Sequence, residues 1–266
     1  MIFSLFLQKI NGMRIVLFGT GNLATRLGMA LRAKNADIVQ VYGRTGSSAS
    51  NLAEKLGCSP TTSLKEIATS AELLILAVSD EAIAEIASNI PVGNRLIVHT
   101  AGSIDMDVLA PYSDNYGVFY PLQTFSRDRE VDFSHVPVCI EANHSSNLEK
   151  LNQLASLLSD TVVRIDSDQR RQLHLAAVFV CNFVNHFYSI GEQLMQEQQL
   201  DFDLLKPIIQ ETAAKVLQHS PLTVQTGPAV RDDKIVMLQH LKMLSEHAEW
   251  QKLYEIISKD IKYFHQ

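Results

Sequence analysis

The segment that most constrains this chain is a glycine turn between an apolar run and the start of a helix. Residues 14–18 read Arg-Ile-Val-Leu-Phe, and residues 19–24 read Gly-Thr-Gly-Asn-Leu-Ala. A continuous apolar run is typical of a buried parallel strand. The first glycine permits a tight turn, the second lets a pyrophosphate approach the backbone, and Ala24 lets the helix pack closely. The turn predicts a dinucleotide site. The alternative is the same turn in a protein that binds no nucleotide. The predicted cofactor-binding residues of the turn are Gly19, Thr20, Gly21, Asn22 and Leu23.

Strand and helix patterns alternate along the first 166 residues. Apolar runs predict strands at 37–42, 73–78, 95–99, 117–120, 138–141 and 162–165. Helical patterns lie between most of them, including one over 50–56 that ends at Gly57, a natural helix C-terminal residue, and a short one over 63–68. This order predicts an α/β fold, a Rossmann-type doubly wound and mostly parallel sheet. From residue 168 onward only helical patterns occur, which predicts an all-α C-terminal domain.

These patterns predict two domains and a short leading segment. A dinucleotide-binding domain is expected over residues 13–166, and a helical domain for substrate binding and dimerisation over 167–266. Residues 1–12 are either an N-terminal extension or precede a start at Met13, which we slightly favour.

Composition excludes some function classes. The net charge is −6 and no dense basic stripe occurs, which disfavours nucleic acid as a partner. The three cysteines follow no metal or disulfide spacing, so we expect no metal and a reducing, cytoplasmic location. Residues 1–12 lack the order of a signal peptide. We found no other run long and apolar enough to span a membrane, and therefore expect no membrane partner.

The end of the second predicted strand indicates which cofactor is bound. NAD-binding proteins of this fold carry a carboxylate there, which binds the ribose hydroxyls. This chain has Arg44 instead, followed by hydroxyl groups on Thr45, Ser47 and Ser48. An arginine can clamp a 2′-phosphate with two hydrogen bonds. The sequence therefore favours NADP(H), and the alternative is an exposed arginine in a glycine-rich turn.

The next two strand ends are expected to face the same cofactor, because ligands bind at the carboxyl edge of such sheets. Small residues there would let it lie close to the backbone. Asp80 follows the first of these ends and is interpreted as the N-cap of the next helix. The predicted cofactor contacts are Val78, Ser79, Thr100, Ala101 and Gly102.

A stripe of neutral polar residues lies on the long helix predicted after residue 168. His174, Asn182, Asn185, His186 and Ser189 fall within an arc of roughly 120° if the helix is uniform. Imidazole and amide groups suit a hydrogen-bonded cleft. We interpret His174 as the group that exchanges a proton with substrate and Asn182 as an orienting group, with His186 a weaker catalytic candidate. The alternative is a stripe that packs against the sheet edge and is satisfied internally.

Several motifs together resemble a known family. They are residues 19–24, His-Thr-Ala-Gly-Ser at 99–103, Tyr-Pro-Leu-Gln-Thr-Phe at 120–125, and three stretches at 174–179, 182–186 and 226–232. The chain resembles bacterial Rossmann-like proteins with a C-terminal DUF2520 domain, which are described as NADP oxidoreductases. These are relatives of the pyrroline-5-carboxylate reductases and the coenzyme F420-dependent NADP reductases.

The resemblance implies a homodimer formed through the helical domain, but it implies no substrate. Related β-hydroxyacid dehydrogenases carry Lys-x-x-x-Asn on the corresponding helix. If Asn182 matches that asparagine, the lysine position is Val178. His174 would then be a substitute donor. Gln123, Thr124, Asn185 and Arg231 are the predicted substrate contacts. Asp232 or Asp233 is expected to cap a helix, with Asp232 favoured as a capping residue.

The sequence thus supports two hypotheses. The first is an NADP-dependent oxidoreductase that transfers hydride between the cofactor and a small carbonyl, hydroxy acid or imine. The second is an NADP(H)-binding sensor or structural dimer without turnover, which the missing lysine favours.

Overall fold

A computed structural model describes residues 13–126 and 129–265. The choice between an extension and a later start at Met13 concerns residues 1–12, which lie outside the described residues.

An eight-stranded sheet forms the N-terminal part of the chain. Its spatial order is β3-β2-β1-β4-β5-β6-β7-β8, and all neighbours are parallel except β6 and β7. This confirms the predicted α/β class with a mostly parallel sheet followed by helices. The strands are β1 Arg14–Phe18, β2 Asp37–Tyr42, β3 Ser59–Thr61, β4 Leu73–Leu76, β5 Leu96–His99, β6 Tyr116–Pro121, β7 Val138–Ala142 and β8 Val162–Arg164.

Helices cover both faces of this sheet, and alternate residues of β1 show how. Ile15 and Leu17 belong to one hydrophobic cluster, while Val16 and Phe18 belong to another. A strand buried on both faces explains its unbroken apolar sequence. The helices are α1 Asn22–Ala33, α2 Gly46–Leu56, α3 Ala82–Asn89 and α4 Ser145–Leu158.

Two local predictions were wrong. The strand β3 was missed because it has only three residues and contains Pro60. Proline cannot donate a backbone hydrogen bond and is therefore rare in strands other than edge strands. The helix expected over 63–68 is a single 3-10 turn, Leu64–Glu66.

The C-terminal part of the described chain is helical, as predicted. A capping box starts α5, because the Asp166 carboxylate accepts from Gln169 N while Gln169 Oε1 accepts from Asp166 N. A π-helical segment, Val178–Phe183, separates α5 Ser167–Ala177 from α6 Val184–Glu197. The remaining helices are α7 Lys206–Gln218, α8 Pro221–Val224, α9 Lys234–Met243 and α10 Ala248–Phe264.

The described part of the chain forms two compact units, which divide between residues 185 and 186. Each has its own internal contacts. The predicted domain boundary at 166/167 coincides with the start of α5 and not with the division between the compact units. The assignment of substrate binding and dimerisation to residues 167–266 stays a prediction.

The second unit has almost no core of its own. Among described residues 186–265, Ala229 and Leu244 alone are buried apolar side chains. Large apolar side chains of this unit are instead exposed, and the most exposed are Leu204, Ile208, Leu217, Ile235, Leu238, Met243, Ile256, Tyr263 and Phe264.

One described helical run, Ser167–Glu197, is long and apolar enough to cross a membrane by length and composition. Our expectation that no such run exists was wrong. The polar side chains near its middle are amides and imidazoles, and residues 172–191 contain no Asp, Glu, Lys or Arg. Core helices of soluble proteins pass the same test, but they are mostly buried, whereas the apolar window of this run is 0% buried in the described structure.

Candidate active site

The two glycines of the first turn have different structural roles. Gly19 has φ +108°, and a Cβ there would lie 2.1 Å from the backbone oxygen of Ala77. Only glycine fits this position. Gly21 has an ordinary backbone conformation, and a Cβ there would meet nothing within 4 Å. It precedes α1, whose first turn carries no acidic residue. The space beside Gly21 therefore lies at a helix N-terminus, which favours an anion.

A cavity of about 420 Å³ opens at this turn. That volume is within the usual range for ligand sites. The cavity brings together nine of the predicted cofactor residues: Gly19, Thr20, Gly21, Asn22, Leu23, Arg44, Thr45, Val78 and Ser79. It is also lined by Tyr42, Gly43, Ser48, Ala77, Ala82 and Ile86. Of the predicted cofactor residues, Ser47, Thr100, Ala101 and Gly102 do not line it.

The end of β2 supplies the one charged side chain in this lining. Arg44 is exposed, and no carboxylate lies among the lining residues. Thr45 Oγ1 lies 2.8 Å from Ser48 Oγ and accepts from Ser48 N, so it caps α2. Because these two hydroxyls already bond each other, Arg44 is the main group there for a phosphate.

Thr100 and Ala101 have structural partners. Thr100 is buried and donates its hydroxyl to the Leu76 backbone oxygen at 3.3 Å. The Ala101 amide donates to His99 Nδ1 at 3.2 Å. The Thr100 bond ties the segment after β5 to β4, and the Ala101 bond holds this segment against the end of β5. Both bonds form without a cofactor. The predicted cofactor contacts of both residues remain predictions.

His99 is fully buried at the end of β5. Burial and the nearby Arg170 guanidinium lower the pKa of its imidazole to about 4. Its Nε2 and the Arg170 Nε are buried without a hydrogen-bond partner in the described part of the chain. His99 is therefore a neutral core residue at neutral pH.

This burial predicts that folding is weakened by acid. The pKa of His99 is about 4 in the folded chain and about 6.5 in an unfolded one. Between these values the unfolded chain binds more protons, so the free energy of unfolding falls as the pH falls, by up to about 3 kcal/mol. Chemical denaturation at several pH values measures the slope. A His99→Asn variant, which keeps an acceptor for the Ala101 amide, should show a flatter slope. Equal slopes in the two proteins would contradict the prediction.

The central feature of the carboxyl edge beyond the cavity is a contact between Tyr120 and His174. The Tyr120 hydroxyl lies 3.1 Å from His174 Nδ1, and the two rings pack edge to face. The backbone of Gly102 packs closely against the His174 imidazole, since a Cβ at Gly102 would lie only 2.6 Å from the same Nδ1. His174 is half-buried at this position. The sequence predicted His174 as a candidate but not its tyrosine partner, which could have been found only from the adjacency of β5 and β6.

Helix α5 is fixed to the sheet by a buried arginine. Arg170 has no exposed side-chain surface and pairs with Glu141 of β7, while its guanidinium also donates to the Ile104 backbone oxygen and to Ser167 Oγ. Ser167 Oγ in turn donates to Glu141 and accepts from the Met106 amide. This network sets the position of His174, one turn later. Removing one partner of a buried ion pair leaves the other charge buried and uncompensated, which destabilises the fold.

The interpretation of Asp80 as a helix N-cap was wrong. The N-cap of α3 is Glu81, without a side-chain cap. The Asp80 carboxylate instead accepts from the Ser103 hydroxyl. The bond joins the segments after β4 and β5, so the acid holds the sheet edge together.

A π segment interrupts the helix that carries the polar stripe, and it takes about one residue more per turn than an α-helix. The shared arc of the five polar residues was predicted for a uniform helix, and it stays a prediction. Asn182, Asn185 and His186 are exposed, and their predicted roles remain predictions. The apolar side chains of the run are also exposed: Phe179, Val180, Phe183 and Phe187.

The remaining predicted substrate contacts are on exposed loops. Gln123 Oε1 accepts from the Thr124 amide at 2.8 Å, and both side chains are exposed after β6. Arg231 is exposed before α9. Asp233, not Asp232, caps α9 through Val236 N, while Asp232 pairs with Lys262. The substrate contacts of Gln123, Thr124 and Arg231 remain predictions.

The three cysteines are free, and among the described residues no group of three or more metal-ligating side chains is arranged around a common point. Cys139 is buried, whereas Cys58 and Cys181 are partly exposed.

Comparisons with known proteins agree with this architecture. Residues 8–123 match a Rossmann-like domain, and residues 136–261 match the domain of unknown function DUF2520. The chain is 48% identical to a putative NADP oxidoreductase from Bacteroides fragilis, with a TM-score of 0.90, covering 96% of this chain and 99% of that one. No curated protein matches the chain.

Two more distant structures share the fold. A 1-pyrroline-5-carboxylate reductase from Streptococcus pyogenes has 14% identity and a TM-score of 0.62, covering 95% of this chain and 99% of that one. An imine reductase from Aspergillus terreus, solved with NADPH4, has 14% identity and a TM-score of 0.63, covering 96% of each chain.

Proposed function

Because this chain belongs to the family that joins a Rossmann-like domain to a DUF2520 domain, we propose that it is an NADP-dependent oxidoreductase acting on a small carbonyl, hydroxy acid or imine. One observation carries the proposal. The cavity at the glycine turn and the His174–Tyr120 pair lie at the same carboxyl edge of one sheet. The names of the similar proteins support this assignment, since one is described as a putative NADP oxidoreductase and another is an imine reductase solved with NADPH4.

The residues of the cavity fit a dinucleotide phosphate. The open space at Gly21 and the first turn of α1 would hold the pyrophosphate. Arg44, at the end of β2, would bind the 2′-phosphate. When bound, the cofactor supplies or accepts the hydride. The carboxyl ends of β4 and β5 would then lie toward its reactive end.

Replacing Arg44 with alanine tests the choice of cofactor. We expect the Kd for NADPH to rise about 10-fold to 100-fold, because a charge-assisted hydrogen bond contributes about 1.5–3 kcal/mol. The Kd for NADH should change much less. Fluorescence titration with both cofactors measures this. Arg164→Ala removes an exposed arginine elsewhere and is the matched control. An NADPH preference that survives Arg44→Ala would refute the role.

His174 would exchange the proton that accompanies hydride transfer. Reduction of a carbonyl or imine adds hydride to carbon and one proton to oxygen or nitrogen, and oxidation removes both. His174 is the titratable side chain that lies beside Gly102 and remains partly open to solvent. His99 is unsuited to this task, since it is fully buried.

The activity is tested by following NADPH oxidation against a panel of small ketones, ketoacids and cyclic imines. We expect turnover with at least one class. NADPH binding without turnover across a broad panel would favour the second hypothesis, a sensor or structural dimer, which the lack of a lysine at Val178 also supports.

We further propose that the second compact unit forms a homodimer. A unit with two buried apolar side chains lacks the core that folding requires. Its exposed apolar side chains are spread over several helices that also carry ion pairs, such as Lys215 with Glu211, and this suits a protein partner better than a bilayer. Light scattering should give twice the mass of one chain. A monomer, or sedimentation with lipid vesicles, would contradict the dimer.

A further inference from the structure

The contact between Tyr120 and His174 is held from three sides. Tyr120 lies on β6 and is 9% exposed, in a cluster with Val118 and Cys139. Leu173 packs against the same cluster from α5. The imidazole of His174 lies on the backbone of Gly102. These contacts restrain both rings, and the Tyr120 hydroxyl lies 3.1 Å from His174 Nδ1.

We propose that Tyr120 is a positioning residue, whose hydroxyl donates to His174 Nδ1 and so keeps the neutral imidazole protonated at Nε2. Nε2 is then the atom that exchanges a proton with substrate. This inference rests on the proposed function of His174, but the tautomer itself does not depend on turnover. Tyr120 transfers no proton to substrate in this arrangement.

The direction of the hydrogen bond follows from the partners of the hydroxyl. Burial raises the pKa of Tyr120 to about 12, so the hydroxyl keeps its proton at neutral pH. Its one hydrogen-bond partner in the part of the chain that the structure describes is His174 Nδ1. If Nδ1 carried a proton and donated, the tyrosine proton would lack an acceptor, and an unsatisfied buried donor costs about 1–3 kcal/mol. Donation by Tyr120 satisfies both groups and fixes the tautomer.

A fixed tautomer matters for proton transfer. A neutral imidazole carries one proton, and the hydrogen bond at one nitrogen decides which nitrogen presents it. With Nδ1 accepting, Nε2–H can act as a donor to a developing alkoxide or amine. When Nε2 gives up this proton, the Tyr120 hydroxyl proton passes to Nδ1, so the imidazole stays neutral. Without the tyrosine, the imidazole would divide between two tautomers and its ring would be less restrained.

The direct test is the tautomer of His174 by long-range ¹H–¹⁵N NMR of labelled protein, at about pH 8.5, where an ordinary histidine is neutral. The signals are assigned by their loss in His174→Gln. We expect the Nε2–H form in the wild type and a mixed or exchanging form in Tyr120→Phe. The control Tyr116→Phe removes another hydroxyl from the same strand, one bonded to Asp107 at 3.1 Å, and should leave the His174 signals unchanged.

Two results would overturn the inference: an Nδ1–H tautomer in the wild type, or unchanged His174 signals in Tyr120→Phe. A thermal melt of each variant excludes loss of fold. Once a substrate is found, kcat of Tyr120→Phe should fall at least about tenfold, while the Kd for NADPH stays unchanged. The expected loss is smaller than the 10²–10⁴-fold that a positioned acid or base contributes, because His174 itself is still present. An unchanged kcat would also overturn it. If no substrate is turned over by the wild type, the proposed function fails, while the NMR result still decides the role of Tyr120.

Discussion

Gly19→Ala is expected to unfold the chain or lower its free energy of unfolding by about 4 kcal/mol, because it combines left-handed backbone strain with a clash against a rigid carbonyl. The new Cβ would lie 2.1 Å from the Ala77 oxygen, and this oxygen belongs to the backbone and cannot rotate away. Chemical denaturation followed by circular dichroism measures the effect.

Gly21→Ala is the matched control for this substitution. Its Cβ meets nothing within 4 Å and its backbone conformation is ordinary, so the stability should change by less than about 1 kcal/mol. The added methyl group would, however, occupy the space proposed for the pyrophosphate. We expect the Kd for NADPH to rise about tenfold or more. If Gly19→Ala were as stable as the wild type, the described turn would be wrong. If Gly21→Ala bound NADPH normally, the phosphate would lie elsewhere.

His174→Ala is expected to lower kcat by about 10²–10⁴-fold on a substrate that the wild type turns over, because it removes the proposed proton donor. The Kd for NADPH should be unchanged, since His174 does not line the cavity at the glycine turn. Steady-state kinetics together with cofactor titration separates these two effects.

His135→Ala serves as the control for loss of a histidine. That side chain is exposed beside Asp132, on a 3-10 turn that does not line the cavity, and its removal should leave kcat unchanged. Unchanged turnover in His174→Ala would remove the residue from the mechanism. A large rise in the Kd for NADPH would instead show that its role is in binding.

The sheet was largely predictable from the sequence because buried parallel strands leave long apolar runs, such as Leu73–Leu76. The antiparallel pairing of β6 with β7 was not, since an apolar run carries no sign of strand direction. The C-cap of α2 at Gly57 was predicted correctly, and the residue has φ +66°. Its left-handed conformation follows from the residue type alone.

The candidate site was less predictable than the fold. The glycine turn and Arg44 were found because local chemistry identifies them, and the structure brings them together in one cavity. Tyr120 and Arg170 were not identified as partners of the site. Tyr120 and His174 lie 54 positions apart in the sequence, and Arg170 and Glu141 lie 29 positions apart. Such pairs follow from the order of strands in the sheet and not from any periodicity in the sequence. Asp80 was misassigned for a similar reason, because its partner, Ser103, lies in the segment that follows the neighbouring strand β5.

The π segment changes how this helix is aligned with those of other proteins. The segment holds one extra residue inside a helix. A relative without this extra residue can therefore be displaced by one position along the helix, even where the aligned loops show no gap. The position opposite a relative's lysine can then fall at residue 177, 178 or 179, and these are Ala, Val and Phe. From 167 to 205 the sequence contains no lysine at all. No shift of alignment gives this helix a primary amine, and any proton that it exchanges with a substrate must pass through a group of another kind.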